Sequence, residues 1–286
     1  MKLVIKNNDT LQNKRLSITT KEKPCLDSEW HYHAEYELIY ISESFGIRFV
    51  GDDVSQFTPE DLVLVGPYLP HLWRNDVSYY NQTEDEISVK TIVTKFTRDF
   101  IGENTFNNPE FSGIDKLLKE SNYGISFGSA LSKNLHDDLM VLSTLSKAEQ
   151  SIELLNILFK LSQTTDKKIL SSSDMRQYTT ENSERIDQVL KYISDNYISN
   201  ISLTDVSEVA CMTTNSFCRF FKKMTNKSFT QFLNEVRIRN ASRLLVQRQA
   251  SVSSVCYAVG YNSITNFNKQ FKYIMGATPK DYRESL

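Results

Sequence analysis

The sequence predicts a two-domain α+β chain, with an N-terminal antiparallel β-barrel or sandwich and a C-terminal all-α half. Three observations carry this. Residues 3–94 are filled by short strand-like runs with no 10–15-residue helix between them. A pattern in residues 203–232 returns fifty residues later. Between the two regions lies QTTDKKILSSSDMRQYTTENS, a polar stretch rich in Ser and Thr.

The strand runs are Leu16–Thr20, Glu35–Ile41, Gly46–Val50, Leu62–Val65 and Ile87–Phe96. Gly51-Asp52-Asp53 and Pro59-Glu60-Asp61 read as turns between them. Without crossover helices the strands should pair antiparallel.

The chemistry of this body sits in WHYHAEYELIY, residues 30–40. His31, His33 and Glu37 are all odd-numbered, so an extended strand projects them to one face. His71 follows in GPYLPHLWRN, beside Trp73. Three imidazoles and a carboxylate suit a divalent Zn, Fe, Mn or Ni ion. The same groups with Trp73 suit a small polar ligand with an apolar face, a sugar or an aromatic acid. Hydrogen-bonded core histidines are a third reading. Trp30, Tyr32 and Tyr36 have the opposite parity, which places some of them in outer-face packing.

His31-x-His33-x3-Glu37 and His71-x3-Asn75 resemble the two motifs of the cupin barrel. The usual glycine before the second-motif histidine is missing, since Tyr68-Leu69 occupy that region. The resemblance implies a cupin-like antiparallel β-barrel with ligand-binding His31, His33, Glu37, His71 and Trp73. It implies metal ligation by His31, His33, Glu37 and His71.

After Pro109 the apolar period lengthens to that of helices. Residues 111–122, 129–145 and 149–161 read as three amphipathic helices, with 123–127 as a strand or extended turn between the first two. The last two could pack together or meet a partner subunit. His136 reads as a helix-face residue. The expected division is 1–165 for sensing and dimerisation, 166–182 as linker, and 183–286 for the helical half, with Ser183 as the N-cap of its first helix.

In the helical half, Phe217-x3-Phe221-Lys222 returns as Phe267-x3-Phe271-Lys272, and Ser228 and Phe232 as Thr278 and Tyr282. Val206-Ser207 matches Val255-Cys256 one residue closer, so the second turn is one residue longer. Each copy has a helix-turn-helix form. Thr204–Ala210 and Thr213–Met224 make the first, Ser254–Val259 and Ser263–Met275 the second. Phe229–Val246 connects them, carrying Arg237, Arg239 and Arg243, and Pro279 restarts the chain after Gly276. The outward faces are Thr214, Asn215, Cys218, Arg219 and Lys222, then Ile264, Thr265, Asn268, Lys269 and Lys272. Asn and Arg suit base edges, and Lys suits phosphates.

Residues 183–286 resemble the paired helix-turn-helix domain of the AraC/XylS family of transcription regulators. The residues carrying this are Arg237, Ala241, Leu244-Leu245, Val255, Gly260-Tyr261, Phe267, Phe271-Lys272, Gly276, Thr278-Pro279 and Tyr282-Arg283. Asn226 stands where the first repeat would carry a glycine, and Cys256 where alanine is usual. The resemblance implies a regulator, usually an activator, whose partners are double-stranded promoter DNA, a small-molecule effector, RNA polymerase and a second copy of itself. Base reading falls to Asn215, Cys218, Arg219, Thr265, Asn268 and Lys269.

Charge agrees with this division. Residues 183–286 hold 14 Lys and Arg against 8 Asp and Glu, while residues 1–182 hold 19 against 27. A basic end on an acidic body fits one polyanion-binding part. No run of eighteen apolar residues exists, so no membrane span is expected. The first residues lack the apolar segment of a signal peptide, and four cysteines without paired spacing read as reduced thiols, which together point to the cytoplasm. The chain is read as not an enzyme. The competing readings are a metal-dependent cupin enzyme fused to a DNA-binding domain, and an architectural DNA-binding protein.

Overall fold

The computed structural model describes residues 15–26, 29–80, 89–174, 180–246 and 250–284. The chain divides into two compact units, residues 1–53 with 57–180, and residues 54–56 with 181–286.

The described residues before Thr180 form two sheets. One has six strands in the order β1 (Leu16–Lys23), β7 (Val89–Phe96), β2 (Tyr36–Glu43), β5 (Asp61–Val65), β8 (Ile125–Phe127) and β9 (Lys167–Ile169). The other has three, β4 (Asp53–Phe57), β3 (Gly46–Val50) and β6 (His71–Asn75). Neither closes on itself, so the expected cupin-like barrel is not formed. The sheet ends at β1 and at β9, a three-residue strand in the stretch read as linker. Alternating burial along a strand is the same in a sandwich and in a barrel, which is why the sequence pattern left closure open.

β2 explains the layering. Its even residues Tyr36, Leu38 and Tyr40 join a core with Leu117, Leu154 and Leu158, from α1 (Ser112–Glu120) and α4 (Lys147–Gln163). Its odd residues Ile39 and Ile41 pack with Val50, Phe57 and Trp73 of the three-stranded sheet. Both faces of β2 are thus covered, one by helices and one by the second sheet.

The helix expected over 129–145 is broken in two, α2 (Ser129–Asn134) and α3 (His136–Val141), at Leu135 with φ −94° and ψ 0°. His136 opens α3, and its Nδ1 lies 2.8 Å from the Tyr40 hydroxyl. α4 begins with a Ser146–Glu149 capping box. It buries Leu154, Ile157, Leu158 and Leu161 and leaves Ile152 and Phe159 outside, 65% and 55% exposed.

From Thr180 onward the described residues form helices: α5 (Thr180–Asn196), α6 (Leu203–Val209), α7 (Thr214–Thr225), α8 (Phe229–Val246), α9 (Val252–Ala258), α10 (Ile264–Met275) and α11 (Pro279–Glu284). α5 begins at Thr180, ahead of the expected start at Ser183. The duplication is visible in the rings. Phe217 and Phe221 sit 5.4 Å apart, Phe267 and Phe271 5.7 Å. Phe221 meets Phe232 edge-on at 5.3 Å, and Phe271 meets Tyr282 edge-on at 5.6 Å. Both α7 and α10 end in a left-handed residue, Asn226 at φ 55° and Gly276 at φ 77°.

Candidate functional site

Two candidate sites emerge, one in each unit. The first lies between the two sheets, on the odd-numbered face of β1, β7 and β2. Antiparallel register aligns three rungs there: Ser17, Lys95 and Glu37, then Thr19, Val93 and Ile39, then Lys21, Thr91 and Ile41. With Leu26, His31, His71 and Trp73 these residues line a cavity of about 390 Å³.

At one end of the cavity His31, His33, Glu37 and His71 bring one ligand atom each to within 4.8 Å of one another. Glu37 stands on β2 and His71 on β6, while His31 is joined to His71 by an isolated antiparallel bridge outside the regular strands. All four expected residues are therefore together, although the barrel meant to gather them is absent. The His31 and His71 rings are 4.3 Å apart and those of His33 and His71 5.2 Å.

Each imidazole is oriented through its Nδ1. That atom lies 2.7 Å from the Glu29 carbonyl oxygen in His31, 3.1 Å from the Glu35 carbonyl oxygen in His33, and 2.8 Å from the Leu69 carbonyl oxygen in His71. A carbonyl only accepts, so Nδ1–H donates in every ring, and Nε2 is the atom left for the cluster. This is the arrangement in which proteins hold metal-binding imidazoles. His71 Nε2 is buried without a hydrogen-bond partner, 3.7 Å from Glu37 Oε2.

The charges differ among the four. Burial lifts the Glu37 carboxyl, but the hydrogen bond from His33 and the nearby His71 imidazole outweigh it and hold it well below the usual carboxylate range. Burial pushes His33 down, but its bonds to Glu35 and Glu37 prevail and raise it. Burial and the neighbouring imidazoles hold His31 well below its ordinary value, and burial lowers His71. Lys95 Nζ completes the set, 3.0 Å from Glu37 Oε2. The groups fit a divalent ion. Binding one would displace the proton on His33 and release Glu37 from Lys95.

Trp73 is buried and is among the residues lining the cavity, and its Nε1 has no hydrogen-bond partner. The same is true of the Thr91 hydroxyl on the opposite sheet. Lys21, Thr91 and Lys95 were not singled out by the sequence. Polar residues fall on both parities of β1 (LSITTKEK) and β7 (VKTIVTKF), so the strand pattern does not set these three apart. The cross-strand register that places them beside Glu37 was not readable.

The second site is the surface of α7 and α10. Thr213 caps α7 by accepting from the Ser216 amide, and Ser263 caps α10 by accepting from Asn266. Phe217 and Phe221, then Phe267 and Phe271, are buried. Asn215, Cys218, Arg219 and Lys222 are therefore exposed along one side of α7, with Thr214 half-buried at its start. Thr265, Asn268, Lys269 and Lys272 occupy the equivalent places on α10, with Ile264 half-buried. Tyr257 and Tyr273 are also exposed, at 59% and 80%, and neither was anticipated.

Arg237 on α8 is occupied structurally. Its Nε donates to the Tyr197 carbonyl and its Nη2 to the Ser199 carbonyl, each at 2.8 Å. Its guanidinium lies over the Tyr261 ring at 5.5 Å, and the Tyr261 hydroxyl donates to Asn234 at 2.7 Å.

Residues 206–285 match the family described as "Helix-turn-helix domain". Residues 206–285 are thus similar to a helix-turn-helix domain, and the curated relatives that match the chain bear the names of transcriptional regulators. One curated relative is the HTH-type transcriptional regulator YdeC of Bacillus subtilis, 27% identical over 154 residues, which are 53% of each chain. Another is the raffinose operon transcriptional regulatory protein RafR of Pediococcus pentosaceus, 26% identical over 114 residues, 40% of this chain and 41% of that one. Matches thus span about half or less of these curated relatives. Among solved structures, ToxT of Vibrio cholerae aligns with 96% of this chain and 99% of its own at 14% identity and a TM-score of 0.36. Eight curated relatives all bear the names of transcriptional regulators or operon regulatory proteins. Among the described residues no helix is long and apolar enough to cross a membrane.

Proposed function

We propose that the chain is a sequence-specific DNA-binding regulator of the AraC/XylS type, with an activating sense, that responds to a small polar ligand held between its two sheets. The observation that carries the DNA reading is the pair of capped helices α7 and α10. They share one buried scaffold of rings, yet expose different side chains at equivalent places. Asn215 faces outward where the second copy has Thr265, Cys218 where it has Asn268, and Arg219 where it has Lys269. Two such helices read two different half-sites, so one chain recognises an asymmetric operator.

The domain division is proposed as 1–165 for sensing and dimerisation, 166–182 as linker and 183–286 for DNA. A second copy is the proposed partner of the first unit, through the exposed Ile152 and Phe159 of α4. RNA polymerase is the proposed partner at the promoter. Sugars are one effector class to test, given the name of the raffinose-operon relative. The three Nε2 atoms converging on Glu37 support a divalent ion as a resident part of the same pocket.

The test is footprinting of full-length protein on the DNA flanking its own gene, followed by a transcription assay from the protected promoter. Selective protection with raised transcription is expected. Uniform binding to all fragments would remove the sequence-specific reading, and lowered transcription would reverse the sign.

A further inference from the structure

We infer that residues 167–172 form a strap through which the state of the His31, His33, Glu37 and His71 cluster reaches the connector leading to α5, with Asp52 as its positioning residue. This rests on the reading of the cluster as a metal site and adds how its occupancy is passed along the chain.

By composition the stretch is linker, yet it is attached along its whole length. β9 pairs with β8, Ile169 with Ile125 and Lys167 with Phe127. The next two amides continue the attachment. Leu170 N donates to the Gly124 carbonyl at 3.0 Å, and Ser171 N to the Tyr123 carbonyl at 2.7 Å. Leu170 is buried in one apolar core with Val50, Leu69 and Trp73. The Asp52 carboxylate closes the end. Its Oδ1 accepts from the Ser172 amide at 2.7 Å and lies 2.9 Å from the Ser171 hydroxyl. Its Oδ2 accepts from the Ser172 hydroxyl at 2.5 Å. Asp52 and Ser171 are both buried, and a buried carboxylate is retained only with such partners. Gly51 lets the strap come this close, since a Cβ there would collide with Ser171 Oγ.

Residues 66–70, between β5 and β6, link this attachment to the cluster. On the cluster side, Tyr68 N donates to the His33 carbonyl at 2.7 Å, and the Leu69 carbonyl oxygen is 2.8 Å from His71 Nδ1. On the strap side, Leu69 shares the core with Leu170, and the Pro70 carbonyl accepts from Gly51 N at 2.8 Å. Val50 is the cross-strand partner of His71. One residue, Gly51, thus separates the partner of a cluster imidazole from the anchor of the strap. Coupling of this kind needs a contiguous path ending in an element with two arrangements. The path is continuous here, and the strap ends in polar bonds that water can replace. An ion that fixes His33 and His71 also fixes residues 66–70 and favours the attached strap. Detached, residues 167–172 join the tether ahead of α5.

The experiment is amide hydrogen exchange of the full-length protein with and without zinc, paired with calorimetric zinc titration. With zinc bound, the Leu170 and Ser171 amides should exchange roughly tenfold more slowly. Coupling is reciprocal, so Asp52→Ala, which frees the strap, should weaken zinc binding by a similar factor although Asp52 is outside the cluster. Ser172→Ala removes one bond at an exposed residue and leaves the core intact. It should speed exchange of the same two amides in zinc-free protein with the melting point nearly unchanged. A lowered melting point in Asp52→Ala with unaltered zinc affinity would make Asp52 merely structural and overturn the inference. Wild-type exchange in Ser172→Ala overturns it too. So does bound zinc that leaves both amides unslowed, and the cluster then still stands as a metal site. Failure of zinc to bind at all removes that site and the inference together.

Discussion

Nε2 of His33 lies 2.5 Å from Oε2 of Glu37, and both side chains are buried. Around this pair two further imidazoles present Nε2, each turned by a backbone carbonyl at its Nδ1. The carbonyl bonds fix the rings whether or not an ion is present. Full-length protein from zinc-, iron-, manganese- or nickel-supplemented medium should hold about one ion per chain by elemental analysis. His31→Ala/His33→Ala should hold none, and Glu37→Gln should weaken retention roughly tenfold or more. Sub-stoichiometric metal in the wild type under every supplement would remove the metal reading and leave a metal-free pocket.

The four members of this cluster were named in the sequence by residue type and spacing, but the single strand expected to align them is not formed: β2 begins only at Tyr36, and His31 reaches the cluster through its bridge to His71. The neighbouring Lys95 and Thr91 were not named. Lys95 reaches Glu37 only because β7 pairs with β2 in one register, and Thr91 shares a rung with Ile41 for the same reason. Register is a tertiary property, since slipping by one residue would turn every side chain to the other face. Barrel closure was misjudged on similar grounds. β6 lies in a strand that was not anticipated, and the Lys167–Ile169 strand was hidden in a polar stretch. The tandem helices were read more fully, since Phe229–Val246 emerged with the expected bounds and Thr213 and Ser263 cap as their residue types suggest.

Arg219 and Lys222 stand one turn apart on the exposed side of α7, but their chemistry differs. Arg219→Ala should cost about 1–3 kcal/mol at the operator and relax preference at one base pair. Lys222→Ala should weaken all sequences alike and reduce the salt slope by about one. Mobility-shift titrations at several salt concentrations separate them. Unchanged operator affinity in Arg219→Ala would count against its base-reading role.

Arg237 makes two charged hydrogen bonds to the carbonyls of Tyr197 and Ser199 while stacking on Tyr261. A single ammonium cannot reproduce that fork. Arg237→Ala should destabilise the helical unit by about 2–4 kcal/mol, and Arg237→Lys should recover less than half of this. Urea denaturation followed by a probe in this unit measures both. Full recovery by lysine would show that charge alone matters.

Ile152 and Phe159 are seven residues apart on α4 and are left outside a helix whose other face is fully packed. Burying two such side chains against a second copy contributes about 3–6 kcal/mol, enough to set the association state. Sedimentation equilibrium of the Ile152→Glu/Phe159→Glu protein should give monomer where the wild type gives dimer, with a melting point that no longer depends on protein concentration. A wild-type monomer at every concentration would dispose of this interface.

Gly260 and Gly276 are both left-handed, at φ 86° and φ 77°, but only one is crowded. A Cβ on Gly260 would meet the Ile198 carbonyl oxygen at 2.4 Å and the Tyr197 carbonyl oxygen at 2.8 Å. Both contacts are with backbone, and the Tyr197 carbonyl also receives Arg237. Around Gly276 no atom lies within 4 Å of the same position. Gly276→Ala should therefore cost only the backbone term, about 1–2 kcal/mol. Gly260→Ala should cost more, about 3 kcal/mol or above, because α9 must also move off the Tyr197–Ile198 segment. Asn226 makes the same point in reverse, holding φ 55° without glycine at the equivalent turn of the first copy. Gly276→Asn should accordingly be nearly neutral and Gly260→Asn as damaging as alanine. Equal losses for the two alanine variants in denaturant titration would mean that the turn after α9 relaxes and that contact with α5's C-terminal segment does not fix it.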